Sequence, residues 1–200
     1  MRGSDRIVSW VVLAPIAPIA LLLAGWWGSL PVLHDSPAVG VIALAGLVAG
    51  LAIDTTALRR RMDALFTMSN RSLLLVALFY SIGMYGFFMG FPVFNAAIGI
   101  FGGYVVAHRS RLFGWSRQRA LRDGRRVAIT MTWVLGALCG VTAWLALNEG
   151  TMGSQLSSMF RLPFVVTRPM IYAIIVVGGA ALLVVQYGLT SLAARWSAPH

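Results

Sequence analysis

Long apolar runs, nearly free of charge, restrict this chain to very few folds. A run of about 20 apolar residues spans the roughly 30 Å hydrocarbon core of a bilayer, whereas helices buried in soluble proteins are usually shorter. Of the 200 residues, 58% are hydrophobic and 11% are charged, against roughly 25% charged in soluble domains. The runs predict six candidate spans: Ile7–Gly28, Ala38–Leu58, Leu73–Phe91, Val93–Ala107, Val127–Leu147 and Pro169–Leu189. We therefore expect an all-α integral membrane protein, a six-transmembrane-helix bundle forming one domain over residues 1–200.

The six runs are not equivalent. The first, fifth and sixth are each long enough to cross, whereas the second approaches Asp54. The fourth covers only about 22 Å at 1.5 Å per residue, so it has to thin the bilayer, extend past Ala107 or begin below the surface. Pro15 and Pro18 remove backbone donors from the first run and predict a bend. We interpret this first run, which follows Arg2 and Arg6 without a clear cleavage site, as a retained signal anchor.

The arginines predict the orientation. All 16 basic residues are arginine, and the formal net charge is +10. With the N-terminus inside, only Arg161 and Arg168 fall outside, which agrees with the excess of basic residues on the cytoplasmic side of membrane proteins. Both termini are thus predicted to be cytoplasmic, in a plasma membrane whose anionic leaflet, rather than nucleic acid, is the partner of the basic segments. An Arg-, Ala- and Gly-rich chain without lysine also indicates a prokaryotic source.

Residues Gly83–Gly103, "GMYGFFMGFPVFNAAIGIFGG", allow two interpretations. In one, "GFPVFN" is a tight turn between the third and fourth helices, with a proline near the next helix start and Asn95 as a cap. In the other, the segment is re-entrant and exposes backbone groups that bind a solute. Arg71 and Arg109 flank the region on the same side in both cases, so the sequence leaves the choice open.

Pairs of glycines four residues apart are frequent in the apolar runs. Such pairs let helix backbones approach closely, and in lipid this packing drives association. They serve either the bundle itself, or contact with a second copy or another membrane protein. The candidate packing glycines are Gly46, Gly50, Gly86, Gly90, Gly99, Gly103, Gly136 and Gly140.

Few polar side chains lie within the spans. An intramembrane amide or hydroxyl either forms a hydrogen bond to a neighbouring helix or lines a solute path. The sequence leaves both interpretations open. Asp54 is the only carboxylate within a span; it either pairs with Arg61 on the same helix face or takes part in transport or catalysis. The candidate solute-binding or polar packing residues are Asn95, Tyr85, Tyr104, Gln186 and Asp54.

Two long segments connect spans. His108–Arg126, "HRSRLFGWSRQRALRDGRR", is either a basic loop that sets topology or an interfacial element held by anionic headgroups. Its candidate lipid or partner contacts are Arg109, Arg111, Arg117, Arg119, Arg122, Arg125 and Arg126. Asn148–Arg168, on the other side, is long enough to lie on the membrane or to cover a cavity.

Catalytic and cofactor motifs are missing from the sequence. His34, His108 and His200 are too far apart in this topology to share a metal ion, and Cys139 is alone in an apolar run. No lysine is present to form a Schiff base, and no nucleophile elbow or Walker loop occurs. We predict no cofactor, no metal and no catalytic residue. The expected function is that of a non-enzymatic subunit or accessory of a membrane assembly; the alternative is a small-solute transporter, channel or membrane substrate-binding component.

Overall fold

The described part of the chain is almost entirely helical. This computed structural model describes residues 3–34, 36–57, 65–87 and 95–196; it is 86% helical, with no strand in those ranges. The helices are α1 (Gly3–Leu13), α2 (Ile16–Leu33), α3 (Pro37–Ala57), α4 (Asn70–Phe87), α5 (Asn95–Leu112), α6 (Arg117–Asn148), α7 (Met152–Met159), α8 (Arg168–Ala173) and α9 (Gly179–Trp196), with a π-helical segment, Ile174–Gly178, between α8 and α9. The all-α prediction is confirmed.

Four helical stretches are long and apolar enough to cross a membrane, which confirms the prediction of transmembrane helices at this level. They are Asp5–Leu33, Pro37–Thr56, Arg117–Asn148 and Arg168–Trp196. The first contains both α1 and α2, which are interrupted at Ala14 and Pro15. Pro15 has no N–H to donate, and the break lies at this residue. Pro18 also lacks an N–H but lies in the first turn of α2, where helix N–H groups have no intrahelical partner.

α4 and α5 are not among these four stretches. The described part of each has 18 residues and covers about 27 Å at 1.5 Å per residue. Each has a polar end: α4 begins at Asn70, and the last turn of α5 contains Arg109 and Arg111. The apolar part of each helix is therefore shorter than the helix itself. The six-span count therefore stays a prediction. Residues 88–94, on which the choice between a hairpin and a re-entrant loop depends, lie outside the described residues.

The chain divides into two compact units, Met1–Val76 and Ala77–His200, with the boundary in α4. In the first unit, α2 and α3 pack antiparallel with their backbones in close contact. A Cβ atom added to Gly46 would overlap the carbonyl of Leu21, and one added to Gly50 would overlap the backbone of Pro18. An alanine at either position would require a main-chain shift.

In the second unit, α5, α6 and α9 pack against one another. α5 and α9 run parallel, because Gly99 lies against Gln186 and Thr190 while Gly103 lies against Thr190 and Ala193. α6 runs antiparallel to both. Its early residue Gly124 lies against Ala194 near the end of α9, as a Cβ there would lie 2.8 Å from Ala194 Cβ.

The predicted loop His108–Arg126 is mostly helix. α5 continues to Leu112 and α6 begins at Arg117, which leaves only residues 113–116 as a connection. The physical reason is a small-residue face: Ala120, Gly124 and Ala128, four residues apart, are buried and extend the packing of α6 beyond its apolar run. Within the connection, Gly114 has φ +60, a conformation that favours glycine. Ser116 caps α6 by accepting a hydrogen bond from the Arg119 N–H at 3.4 Å.

Candidate functional site

A buried polar contact joins α5 to α9. Asn95, Gly99 and Gly103 recur every four residues on α5 and so share one face, which contacts α9 at both glycines. Across from it, the Thr190 hydroxyl donates to the Gln186 carbonyl at 2.8 Å. At Gly99 an added Cβ atom would overlap the Gln186 side chain, so a larger residue would have to displace that side chain. We call these five residues the α5–α9 polar contact.

Two amides of the α5–α9 polar contact are buried without complete hydrogen bonding. Asn95 is 3% exposed and Gln186 is 2% exposed. Both side-chain polar atoms of Asn95, and Oε1 of Gln186, have no hydrogen-bond partner among the described residues. Leaving such a group unsatisfied costs about 1–3 kcal/mol, and buried polar groups in proteins are nearly always bonded. The buried donors and acceptors on these two amides are therefore the polar groups of this contact whose partners are not among the described residues.

The two candidate tyrosines lie elsewhere. The Tyr85 hydroxyl accepts a hydrogen bond from Thr142 Oγ1 of α6 at 3.2 Å. Tyr104, partly exposed on α5, has ring centroids 6.3 Å from Phe101 and 5.7 Å from His108. Of the candidate polar residues, only Asn95 and Gln186 belong to the α5–α9 polar contact.

Asp54 lies near the end of α3, in the first unit. Its Oδ1 has no hydrogen-bond partner within the described ranges. The predicted pairing with Arg61 falls on residues outside those ranges, so it stays a prediction.

The glycine pairs differ in what they contact. Gly46 and Gly50 lie against α2, and Gly99 and Gly103 against α9. On α6, a Cβ at Gly136 would lie 3.7 Å from Leu183, whereas one at Gly140 would meet no described atom within 4 Å. Gly90 lies outside the described residues, and no side-chain environment is described for Gly86.

The candidate arginines gather at the junction of α5 and α6, residues 109–126, which we call the basic end. Seven arginines lie here with one acid, Asp123. The Trp115 ring lies near two of them, with the guanidinium carbon of Arg119 4.6 Å and that of Arg109 5.8 Å from its centroid. Both distances allow cation–π attraction. The Trp115 ring is thus an aromatic contact shared by two arginines of this end.

Asp123 neutralises only part of the basic end. Its carboxylate lies 3.3 Å from Arg126 Nη1 and 3.9 Å from Arg119 Nε. Burial lowers the pKa of the Arg109 guanidinium, while the charge of Asp123 acts in the opposite direction. The remaining four arginines are exposed and have no acidic partner in the part of the chain that the structure describes: Arg111, Arg117, Arg122 and Arg125.

Apolar side chains surround these charges. Leu112, Phe113 and Leu121 are exposed at the basic end. The α9 terminus, with the strongly exposed Trp196, belongs to the same end because Ala194 contacts Gly124. Exposed aromatic and apolar groups among arginines are typical of a surface at the level of lipid headgroups.

Sequence reasoning missed two residues of these sites. Thr190 follows Gln186 by four residues, and this spacing on a helix was the available signal. Thr142 follows Leu138 by the same spacing, and its hydroxyl lies 2.9 Å from the Leu138 carbonyl and 3.2 Å from the Tyr85 hydroxyl. Among the described residues, no group of three His, Cys, Asp or Glu side chains is placed to hold a metal ion. No protein-family model, curated protein or solved structure matches this chain.

Proposed function

We propose that this chain is a non-enzymatic, multi-pass subunit or accessory of a membrane assembly, and that the basic end is its docking surface. The observation that carries the proposal is the charge of that end: seven arginines with one aspartate. Four of these arginines are exposed and unpaired within the described residues. A surface of this kind attracts a phosphate-rich or carboxylate-rich partner.

Anionic lipid headgroups are the partner that fits best. Arginine binds phosphate oxygens through paired N–H groups, and each basic residue near an anionic leaflet contributes about 1 kcal/mol. Leu112, Phe113 and Trp196 supply the apolar contacts that a headgroup-level surface needs. The distribution of arginines supports a cytoplasmic basic end and cytoplasmic termini, and the Arg-, Ala- and Gly-rich composition without lysine supports the plasma membrane of a prokaryote.

The proposed role as a subunit is supported by a glycine that no helix of the described chain contacts. Two of the predicted pairs, Gly46/Gly50 and Gly99/Gly103, are occupied by helices of this chain. Gly140 of α6 is open, between the exposed side chains of Trp133 and Trp144. A second copy or another membrane helix would approach closely along this face.

The lipid part is tested by removing charge. The double variant Arg122→Gln/Arg125→Gln removes two exposed arginines from the basic end; the matched control, Arg161→Gln/Arg168→Gln, removes two from the opposite side of the predicted topology. Loss of about 2 kcal/mol corresponds to roughly 30-fold weaker lipid binding. We expect quantitative lipid mass spectrometry of the purified protein to find anionic lipid depleted in the first variant and retained in the control. Equal depletion, or none in either, would contradict the proposal.

The subunit part is tested by gentle extraction of the tagged protein from its native membrane, followed by mass spectrometry of co-purifying proteins. A stoichiometric partner is the expected result. Recovery of the protein as a monomer would contradict the proposed role as a subunit. It would not affect the proposed binding of anionic lipid.

The orientation is tested with single cysteines. In a Cys139→Ser background, we expect a membrane-impermeant maleimide to label Thr151→Cys in intact cells and Ser116→Cys only after the membrane is opened. The reverse labelling would overturn the cytoplasmic placement of the basic end.

A small-solute transporter or channel is the second candidate, and the unsatisfied amides of Asn95 and Gln186 favour it. Backbone and amide groups within a membrane bind solutes where helices are short or broken. A solute site predicts that Asn95→Ala abolishes binding or flux in a folded protein. A packing role predicts that Gly99→Leu is the more damaging change, through loss of the folded protein.

A further inference from the structure

A pocket of about 200 Å³ lies where the end of α6, α7 and the start of α8 meet. All of its lining residues belong to the second unit. Its charged groups are Glu149 and Arg168, its other polar side chains are Ser154 and Tyr172, and the rest of the lining is apolar or glycine. The basic end and the α5–α9 polar contact share no residue with it.

The wall of this pocket is held in place by specific contacts. The Ser157 hydroxyl of α7 accepts a hydrogen bond from the Val166 N–H at 2.9 Å and donates to the Gly153 carbonyl at 2.8 Å. Gly153 has no side chain, so the Val166 carbonyl lies directly against it. Ser157 and Val166 are both buried. α7 is therefore fixed to the segment that leads into α8.

The two charged groups of the pocket, Glu149 and Arg168, do not form an ion pair with each other. Glu149 Oε1 accepts hydrogen bonds from Gln155 Nε2 at 2.7 Å and from Thr151 Oγ1 at 3.1 Å. These bonds orient the carboxylate and leave its second oxygen, Oε2, without a partner among the described residues. Arg168 forms no ion pair with Glu149 or with another acid of the described chain. One pocket thus presents an exposed carboxylate and an exposed guanidinium that form no ion pair with each other.

We propose that this pocket binds a small zwitterion of the free α-amino acid type. The ligand carboxylate would pair with the Arg168 guanidinium, and its ammonium group would pair with Oε2 of Glu149. The volume is below the roughly 300–1,000 Å³ of pockets for drug-sized ligands, so it suits a ligand of few heavy atoms. The apolar part of the lining would receive the ligand's side chain. This site goes beyond the proposed docking function and does not depend on it.

The test uses the purified full-length protein in lipid nanodiscs and equilibrium binding of radiolabelled glycine, L-alanine and L-leucine. We expect saturable binding of at least one of them. Propionate and n-propylamine, which each carry one of the two charges, should compete at least about tenfold more weakly, because a charge-assisted hydrogen bond is worth about one factor of ten or more.

Variants separate the pocket from other sites. Arg168→Gln and Glu149→Gln should each weaken binding at least about tenfold, and Arg168→Lys should recover part of the loss. Arg161→Gln, which removes an exposed arginine from the same connection outside the pocket lining, should bind as the unchanged protein does. Size-exclusion chromatography verifies that each variant is folded. Absence of saturable binding, equal competition by propionate, or full binding by a folded Arg168→Gln variant would overturn the proposal.

Discussion

Two glycine contacts of the same spacing are built from different chemistry. In the first unit, Gly46 and Gly50 bring α3 against the main chain of α2 at Leu21 and Pro18. In the second unit, Gly103 likewise brings α5 against the main chain of α9 at Thr190 and Ala194, whereas Gly99 brings it against the side chains of Gln186 and Thr190. The first contact leaves backbone against backbone, whereas the second encloses an amide and a hydroxyl.

The difference teaches what a glycine pair does and does not specify. The pair sets how closely two helices approach, but the residue opposite determines whether the contact is only packing or also holds polar groups. A backbone contact has one solution. A side-chain contact can rearrange, so the α5–α9 polar contact should tolerate a larger residue better at Gly99 than at Gly103.

The largest expected effect is that of Gly46→Ala. The new methyl group meets a main-chain carbonyl that cannot turn away, so we expect the free energy of unfolding to fall by about 3 kcal/mol, the upper part of the overpacking range. Detergent-induced unfolding in mixed micelles measures it. Gly40→Ala on the same helix, where an added Cβ meets no described atom within 4 Å, is the control. Similar losses at both positions would show that the contact is not backbone-limited.

Gly99→Ala should cost less, about 1–2 kcal/mol, because the Gln186 side chain can move. Combining it with Gln186→Ala should recover much of the loss and give a coupling energy of at least about 0.5 kcal/mol in a double-mutant cycle. Strict additivity of the two changes would mean that the steric conflict lies with the α9 backbone, and the contrast with Gly46 would disappear.

Gln186→Leu tests the polar groups themselves. If Oε1 is unsatisfied, an apolar side chain of similar size should leave the free energy of unfolding unchanged or raise it by about 1 kcal/mol. Thermal and detergent unfolding of the purified variant measure this change. A loss above about 1 kcal/mol would instead indicate that Oε1 has a partner such as a bound solute or water.

The smallest effect on stability is expected for Gly140→Ala. An added Cβ there meets no described atom within 4 Å, so the free energy of unfolding should change by no more than about 0.5 kcal/mol. The same variant should reduce recovery of a co-purifying membrane partner if this α6 face is an interface. A large loss of stability would show that α6 packs within the chain at Gly140 as α3 does at Gly46.

How well the sequence predicted the helices depended on what defined their ends. α3 begins at Pro37, one residue before the predicted Ala38, because polar residues precede its apolar run, and it is helical up to Ala57, the last described residue of this stretch. α6 begins ten residues before the predicted Val127. The apolar run ends at the arginines, but the helix extends further because Ala120 and Gly124 are buried, with Gly124 against Ala194 of α9. α7 carries no apolar run and was not predicted.

The candidate sites were less predictable because they join residues that are distant in the chain. Gly99 and Gln186 were both chosen from the sequence, but nothing in either run indicates that α5 and α9 run parallel and face each other. The segment Asn148–Arg168 was expected to lie on the membrane or cover a cavity. Which of its side chains line a pocket depends on the Ser157–Val166 hydrogen bond, which sequence spacing does not reveal.

The π-helical segment Ile174–Gly178 affects how the last span tolerates changes of length. Each residue of an α-helix turns the chain by about 100°, so a single deletion in a regular helix rotates everything beyond it. A π segment already winds an extra residue into one turn. Deleting one residue from it restores regular winding locally and leaves Arg168 and Gln186 facing their own neighbours. A single deletion should therefore be tolerated in this segment and poorly tolerated elsewhere in the span.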